Sequence, residues 1–239
     1  MQISTVTGFL YCVNFNLHGD MKPSSVSVVD PETMTEITRI KTGSMPHGSR
    51  ITSDGLKQYS VAMMSGELFE IDALSLEVSR ILDLEDHSKM DHSKMDHSEM
   101  KHSNVKPTWV IPHPNKNVIY IAGNGSDEII EVDSDSWKVS KRIKTGKGPY
   151  NVEISPNGKY LAIMRSPRED VCDIEQDKIK GVEDEMTYQS LTFIDLETMQ
   201  SRVFSDGVGE KSIYGFQWVS DDRFIYRPGL TNAKGRNMN

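Results

Sequence analysis

Short runs of alternating apolar and polar residues recur along the chain and predict β-strands. Clear examples are residues 26–30, 68–72, 129–133 and 191–195, each of which ends in an aspartate. Side chains alternate between the two faces of a strand, so a period of two is typical of sheets. Turn signals of the Asn-Gly and Asp-Gly kind separate the runs. The pattern therefore predicts an all-β protein.

The predicted strands belong to a repeating unit. Residues 39–46 (Arg-Ile-Lys-Thr-Gly-Ser-Met-Pro) match residues 142–149 (Arg-Ile-Lys-Thr-Gly-Lys-Gly-Pro), and a middle copy begins at Pro107. The prolines that start the three copies are 61 and 42 residues apart, and the excess of 19 is close to the length of a His/Met-rich insert. Each unit holds about four short strands, which is the content of one β-propeller blade.

These units resemble the YVTN-type β-propeller repeat, whose blades carry an Asp-x-x-Thr turn and a Gly-x-x-Pro…Ser-Pro-Asp-Gly turn. The resemblance covers about residues 9–228 and includes Asp30 with Thr33 and Asp195 with Thr198. Relatives with this blade type include the propellers of cd-type nitrite reductase, nitrous-oxide reductase and lactonases. Because propellers carry many unrelated activities, the resemblance implies a fold and leaves the function open.

About four to five blades of four strands are predicted within a single domain, residues 1–239, whereas the family usually closes its ring with seven. Two inserts are predicted, a His/Met-rich loop at 85–104 and an acidic loop at 166–188. The chain is then part of a longer protein, one of two chains that complete each other, or an open ring. Exposed blade edges favour pairing with other chains, so we expect a truncated product or an assembly, through a protein partner or self-association.

The His/Met-rich tract, residues 86–103, is the strongest chemical signal. It repeats the pentapeptide Asp-His-Ser-Lys/Glu-Met three times and begins a fourth copy, and it holds four of the seven histidines and three of the thirteen methionines. The predicted metal ligands are His87, Met90, His92, Met95, His97, Met100 and His102. Imidazole and thioether suit Cu(I) or silver, and imidazole with carboxylate suits Cu(II) or zinc.

With a five-residue spacing, these ligands would not share one face of a helix, nor one face of a strand. We therefore expect a solvated loop that wraps the ion. The tract resembles the Asp-His-Ser-x-Met repeats of bacterial copper-resistance proteins. The alternative is a polar linker made by repeat expansion.

His47 is a further predicted metal ligand. It stands at the start of an inner strand, where the nitrite- and nitrous-oxide-reductase relatives place haem or copper ligands. Thr108 and Tyr150 hold the matching positions of the other repeats, which argues against a multi-copper cluster. The alternative is a channel-rim histidine bonded to backbone or water. Secondary ligand candidates are Met45, His18 and Met21.

Two predictions concern the remaining histidine and the cysteines. His113 precedes a turn proline and is predicted to be a surface residue. Cys12 and Cys172 could pair, but nothing local decides it.

Composition limits the function classes. A formal charge of −8 argues against nucleic acid as the main partner, and no apolar run is long enough to span a membrane. No signal peptide and no nucleophile, phosphate-loop or haem-attachment motif is present. The leading hypothesis is a non-enzymatic, periplasmic or otherwise extracytoplasmic copper-binding propeller. The alternatives are an enzyme-derived propeller, haem reductase-like or lactonase-like, and a protein-interaction scaffold with an incidental tract.

Overall fold

The computed structural model describes residues 1–15, 22–86, 102–165, 190–205 and 213–228. Over these ranges the chain forms eighteen strands and no helix. The strands make four antiparallel sheets of four strands and one sheet of two. This architecture confirms the predicted all-β fold built of four-stranded blades.

Each sheet follows the chain order from its first strand to its last. Blade 1 contains β1 (Gln2–Ile3), β2 (Leu10–Val13), β3 (Pro23–Asp30) and β4 (Thr35–Ser44). Blade 2 contains β5 (Pro46–Ile51), β6 (Lys57–Ala62), β7 (Glu67–Asp72) and β8 (Glu77–Asp83). Blade 3 contains β9 (Pro107–Pro112), β10 (Val118–Gly123), β11 (Glu128–Asp133) and β12 (Lys138–Lys144). Blade 4 contains β13 (Pro149–Ile154), β14 (Tyr160–Arg165), β15 (Ser190–Asp195) and β16 (Ser201–Ser205). The two-stranded blade 5 contains β17 (Ile213–Trp218) and β18 (Phe224–Pro228).

Blade 1 has one strand more than the alternating pattern predicts. Only its last three strands were expected, from residues 9–38, but β1 pairs with β2 through Gln2 opposite Tyr11 and Ile3 opposite Leu10. A two-residue strand is too short to show a period, so the pattern could not reveal it.

The first strands of neighbouring blades contact one another, β5 with β9 and β9 with β13, and so line the inner side of the ring. Because successive strands alternate in direction, the links from second to third strand and from a fourth strand to the next blade leave on the same side. We call that side the rim. The His/Met tract lies in such a link, between β8 and β9.

The hydrophobic core lies between the blades. One cluster joins blades 2 and 3 and includes Tyr59, Leu68, Val110 and Ile130. A second cluster joins blades 3 and 4, and a third joins blades 1 and 2. Strands buried on both faces need apolar residues at nearly every position, which explains the continuous apolar runs of β10 and β14.

A repeated turn joins the third strand of a blade to its fourth. The Asp195 carboxylate accepts the backbone N–H groups of Glu197 and Thr198, at 2.9 and 3.0 Å. The turn ends at Met199, whose φ of 58° is left-handed and whose N–H donates to the Asp195 carbonyl. Asp72 starts the same turn in blade 2. The aspartate in the repeat signature is thus explained by its role as a turn acceptor.

Candidate functional site

A single carboxylate joins the two ends of the His/Met tract at the rim. Glu85 precedes the tract, and its Oε1 accepts hydrogen bonds from the Ser103 hydroxyl at 2.6 Å and from the Asn104 N–H at 2.8 Å. The Val105 N–H adds a third at 3.3 Å. We call these residues the clamp. The clamp brings both ends of a 17-residue segment to one place on the blade platform.

Backbone bonds fix the clamp to blade 2. The Ser103 N–H donates to the Met64 carbonyl, and the Leu84 N–H donates to the Gly66 carbonyl, both at 2.9 Å. Met64 and Gly66 belong to the tight turn between β6 and β7. Leu84 and Ser103, on either side of the tract, are therefore both tied to a neighbouring rim turn.

Most of the predicted metal ligands lie outside the described residues. These are His87, Met90, His92, Met95, His97 and Met100. His102 is described, and its side chain is exposed at the rim next to the buried Ser103. In the part of the chain that the structure describes, no group of three or more His, Cys, Asp or Glu residues is placed to hold a metal ion. Ligation by the tract stays a prediction.

His47 lies at the inner side of the ring and is bonded through both ring nitrogens. Its Nδ1 is 2.7 Å from the Thr108 carbonyl, and its Nε2 is 2.8 Å from the Tyr150 hydroxyl. A carbonyl only accepts, so Nδ1 carries the proton, and the tyrosine hydroxyl donates to Nε2. The ring also packs edge-on against Phe15, Tyr150 and Trp109.

Burial lowers the pKa of His47, and the bond to the Thr108 carbonyl only partly opposes that change. The neutral imidazole is the form that ligates metals. Its Nε2 lone pair, however, already accepts the hydrogen bond from Tyr150, so a metal ion at His47 has to displace that hydroxyl. Metal binding by His47 stays a prediction, and the observed bonds are those of the backbone-bonded alternative.

A partly buried ion pair lies against Trp109, which also contacts His47, and was not predicted. The Arg50 guanidinium bonds the carboxylate of Glu153, and its carbon lies 4.7 Å from the ring centre of Trp109. Blade 2 and blade 4 are thereby bridged across the inner strand of blade 3. The sequence did contain a signal, because Arg50 and Glu153 each stand four residues after the proline that starts their repeat.

Burial is the main influence on Glu153 and raises its pKa. The charge and hydrogen bond of Arg50 oppose the rise without cancelling it. The indole N–H of Trp109 also acts to lower the pKa, although it makes no hydrogen bond of normal geometry. Arg50 and Trp109 thus offset only part of the cost of burying the Glu153 charge at the inner side of the ring.

The prediction that His113 is a surface residue is wrong. Its side chain is buried, Nε2 donates to the Gly158 carbonyl at 3.1 Å, and Nδ1 accepts the Asn115 N–H at 3.0 Å. Gly158 belongs to the next blade, has a φ of 76°, and leaves no room for a side chain beside the imidazole ring. His113 therefore packs between blades 3 and 4.

Among the secondary ligand candidates, the cysteines and the acidic insert, the structure describes only some of the residues. His18, Met21, Cys172 and the acidic insert 166–188 lie outside the described residues. Met45 is half-buried with a left-handed φ of 53°, and its carbonyl accepts the Met63 N–H at the rim. The possible pairing of Cys12 with Cys172 stays a prediction.

The sheets and their order define the class of protein, a β-propeller, with four complete blades and a two-stranded fifth among the described residues. No family model matches the chain, and no curated protein matches it. The YVTN-type assignment and the likeness of the tract to copper-resistance proteins therefore stay predictions.

A similar solved structure supports the propeller fold. The chain is similar to Kuenenia stuttgartiensis hydrazine synthase, with a TM-score of 0.63 and 18% identity over 88% of this chain. The match spans 51% of the hydrazine synthase chain. The dihydro-heme d1 dehydrogenase NirN matches with a TM-score of 0.47 and 12% identity, covering 79% of this chain and 36% of that one. The described ranges contain no helix long and apolar enough to cross a bilayer.

Proposed function

We propose that this chain is an extracytoplasmic metal-binding β-propeller that takes up copper through its His/Met-rich tract. The blades are the rigid platform, and residues 86–102 supply the imidazole and thioether ligands. Copper is the preferred ion because these two ligand types together suit both of its oxidation states, with silver and zinc as competitors. The proposal assigns no catalytic residue.

The clamp is the observation that carries this proposal. Glu85 and Ser103 hold the tract as a closed loop, with Ser103 fixed by its backbone to Met64. Joining the two ends of a segment before a ligand arrives reduces the conformational entropy that binding has to remove. A tract tied at both ends therefore favours several ligands on one ion over binding by separate residues.

The test uses the full chain and a variant that lacks residues 87–101 but keeps Glu85 and Ser103. Each protein is reduced, mixed with excess Cu(I), desalted and analysed for bound metal, and the titration is repeated with Zn(II). We expect the full chain to retain copper and the deletion variant to retain none. Equal copper uptake by the two proteins would refute the proposal.

A second variant tests the clamp. Glu85→Ala removes the acceptor that joins the tract ends and leaves every predicted ligand in place. We expect the affinity for Cu(I), measured by competition with a chelator, to fall by about tenfold, a typical effect of lost preorganisation. Glu77→Ala, an exposed change on β8, is the matched control. Unchanged affinity in Glu85→Ala would show that the clamp plays no part.

An enzyme-derived propeller is the competing function, and the position of His47 at the inner side of the ring is the observation that favours it. This alternative requires a haem spectrum or lactone ring-opening that depends on His47. His47→Gln distinguishes the two functions, because copper uptake by the tract should be unchanged in that variant. Loss of a haem spectrum or of a hydrolytic activity in His47→Gln would favour the enzyme-derived alternative.

A further inference from the structure

A groove lies between blades 3 and 4, on the side of their outer strands. It has a volume of about 310 Å³, which is at the lower end of the range of small-molecule sites. The wall that blade 4 contributes contains three aliphatic side chains, Ile163, Ile194 and Val203. The opposite wall contains Thr145 and Gly146, in the link that follows β12. Both blades have all four strands, so each wall belongs to a complete sheet.

The groove exists because blade 4 lacks an arginine that fills the same place between blades 2 and 3. There Arg142 donates to the Glu128 carboxylate and to the carbonyl of Leu84, which follows blade 2, both at 2.6 Å. Val203 holds the register of Arg142 in blade 4, since each lies opposite the third residue of its third strand. A valine side chain is too short to reach the neighbouring blade, so a groove remains.

One cation of blade 4 lies in this groove. Arg165, the last residue of β14, lies opposite Ser190, and its Nε donates to the Ser190 hydroxyl at 2.8 Å. The guanidinium lies against Gly146 and leaves no room for a side chain there. Within the described ranges, no ion pair joins Arg165 to a carboxylate.

Blade 3 has a carboxylate where blade 4 has Ser190. Glu128 begins β11 and Ser190 begins β15, and each lies opposite the last residue of the second strand. The Glu128 carboxylate pairs with Arg142 and Lys144. In blade 4 a neutral hydroxyl stands in its place, so the charge of Arg165 is not balanced in the same way. The guanidinium can therefore donate to an anion in the groove.

The groove suits an anion with one charge and an apolar body. The planar guanidinium of Arg165 matches a carboxylate, and the Thr192 hydroxyl is a diagonal neighbour on the same face of the sheet. Lys144 also lines the groove, but its ammonium is bonded to Glu128 at 3.1 Å and to the Ser126 carbonyl at 3.2 Å. One cation beside an aliphatic wall favours a monocarboxylate over a phosphate dianion.

We propose that the groove between blades 3 and 4 binds a small organic monocarboxylate. The carboxylate accepts hydrogen bonds from the Arg165 guanidinium and the Thr192 hydroxyl, and the apolar part of the ligand packs against Ile163, Ile194 and Val203. Burial of the apolar part provides affinity, and the charge-assisted bonds fix the orientation. This site is separate from the tract and does not depend on metal binding.

The test is a titration of the full chain with hexanoate, measured by saturation-transfer NMR. We expect saturable binding, and Arg165→Gln should weaken it by about tenfold, as for the loss of a charged hydrogen-bond partner. Arg202→Gln is the matched control, because Arg202 lies opposite Phe193 and so faces away from the groove. Absence of saturable binding to the wild type, or equal affinities of the two variants, would overturn the proposal.

Two further probes test the chemical class of the ligand. Hexanol keeps the apolar stem and removes the charge, so it should bind about tenfold more weakly than hexanoate. Inorganic phosphate, which has no apolar part, should not displace hexanoate. Equal binding of hexanol would reduce the groove to an apolar surface, and displacement by phosphate would show that charge alone is recognised. Either result contradicts a carboxylate site.

A carboxylate introduced into the protein gives the converse test. Ser190→Asp places an acceptor beside Arg165, as Glu128 stands beside Arg142 in blade 3. We expect hexanoate binding to be lost in this variant, whereas Ser190→Ala, which adds no charge, should retain it. Circular dichroism verifies that both variants fold, and Arg165→Gln decides the question if Ser190→Asp does not. Unchanged affinity in folded Ser190→Asp would refute the role of Arg165.

The acidic insert is another source of carboxylates. It follows Arg165 directly in the chain and has eight of them between residues 166 and 188. A variant with these eight residues changed to the corresponding amides should bind hexanoate as the wild type does. If only the amide variant binds hexanoate, the insert itself occupies the groove and the proposal is wrong.

Discussion

Glu70 in blade 2 and Glu153 at the inner side of the ring are both shielded carboxylates, yet their pKa values shift in opposite directions. Burial acts to raise the pKa of Glu70, but hydrogen bonds from Arg80 and Ser79 and the charge of Lys57 outweigh it, so the pKa is lowered. Burial raises the pKa of Glu153, and Arg50 does not reverse the rise. The surroundings of Glu70 therefore favour the ionised carboxylate, whereas those of Glu153 disfavour it.

The difference lies in the number of donors around each carboxylate. Arg80 binds Glu70 through two nitrogens, with Ser79 at 2.8 Å and Lys57 at 3.3 Å, and the Arg80 guanidinium stacks on Trp137 of the next blade. Glu128 in blade 3 repeats this arrangement with Arg142 and Lys144. In blades 2 and 3, several donors therefore outweigh the cost of burying the glutamate charge. At the inner side of the ring, the charge of Glu153 is paired with Arg50 alone among the ion pairs of the described residues.

The largest effect is expected for Arg80→Met. The variant leaves Glu70 buried without its main partner and removes the stacking on Trp137, so the free energy of unfolding should fall by about 4 kcal/mol. Urea unfolding at neutral pH measures it. Arg39→Met, which removes an exposed pair with Glu36, is the control and should leave the free energy of unfolding nearly unchanged. Equal losses in the two variants would remove the distinction between buried and exposed pairs.

Arg50→Met should cost less, about 3 kcal/mol near pH 7, because Glu153 is then buried and unpaired. The pH dependence carries the sharper test. A carboxyl whose folded pKa is raised favours the folded state at low pH, and that contribution is lost as pH rises through the folded pKa. The penalty of Arg50→Met should therefore shrink as the pH falls, because the unpaired Glu153 takes up a proton more readily than an exposed carboxyl does.

The penalty of Arg80→Met should depend less on pH, because Ser79 and Lys57 still contact Glu70 in this variant and continue to favour its charged form. Unfolding curves of both variants at about pH 7 and pH 5 compare the two carboxylates directly. A penalty for Arg50→Met that stays constant over this range would contradict the raised pKa of Glu153.

The smallest effect is expected for Lys144→Met. Its ammonium lies 3.1 Å from Glu128, but the lysine side chain is 69% exposed and Arg142 remains. The free energy of unfolding should change by under about 0.5 kcal/mol, as for other solvated pairs. Thermal unfolding against the wild type measures it. A loss as large as that of Arg80→Met would mean that an exposed donor stabilises the buried carboxylate as much as a buried donor does.

The repeat pattern predicted the strands of the complete blades well, because residues 68–72 and 129–133 lie within β7 and β11. It could not predict contacts between residues far apart in the chain. Arg50 and Glu153 are 103 positions apart and meet only once three blades stand side by side. His113 was misassigned for the same reason, since a glycine from the next blade covers it. The candidate metal ligands could be predicted from the residue types of the tract. The clamp could not, because Glu85 and Ser103 are brought together only by folding.

The clamp also bears on how this protein could vary among close relatives. Inserting one more pentapeptide between Glu85 and Ser103 leaves the clamp residues unchanged and raises the entropic cost of loop closure by only about 0.2 kcal/mol. Replication slippage in the repetitive coding stretch would then add or remove one histidine and one methionine at a time. If the tract binds copper as proposed, each added copy would bring one more imidazole and one more thioether at this small cost, so the copy number can vary while the blades stay the same.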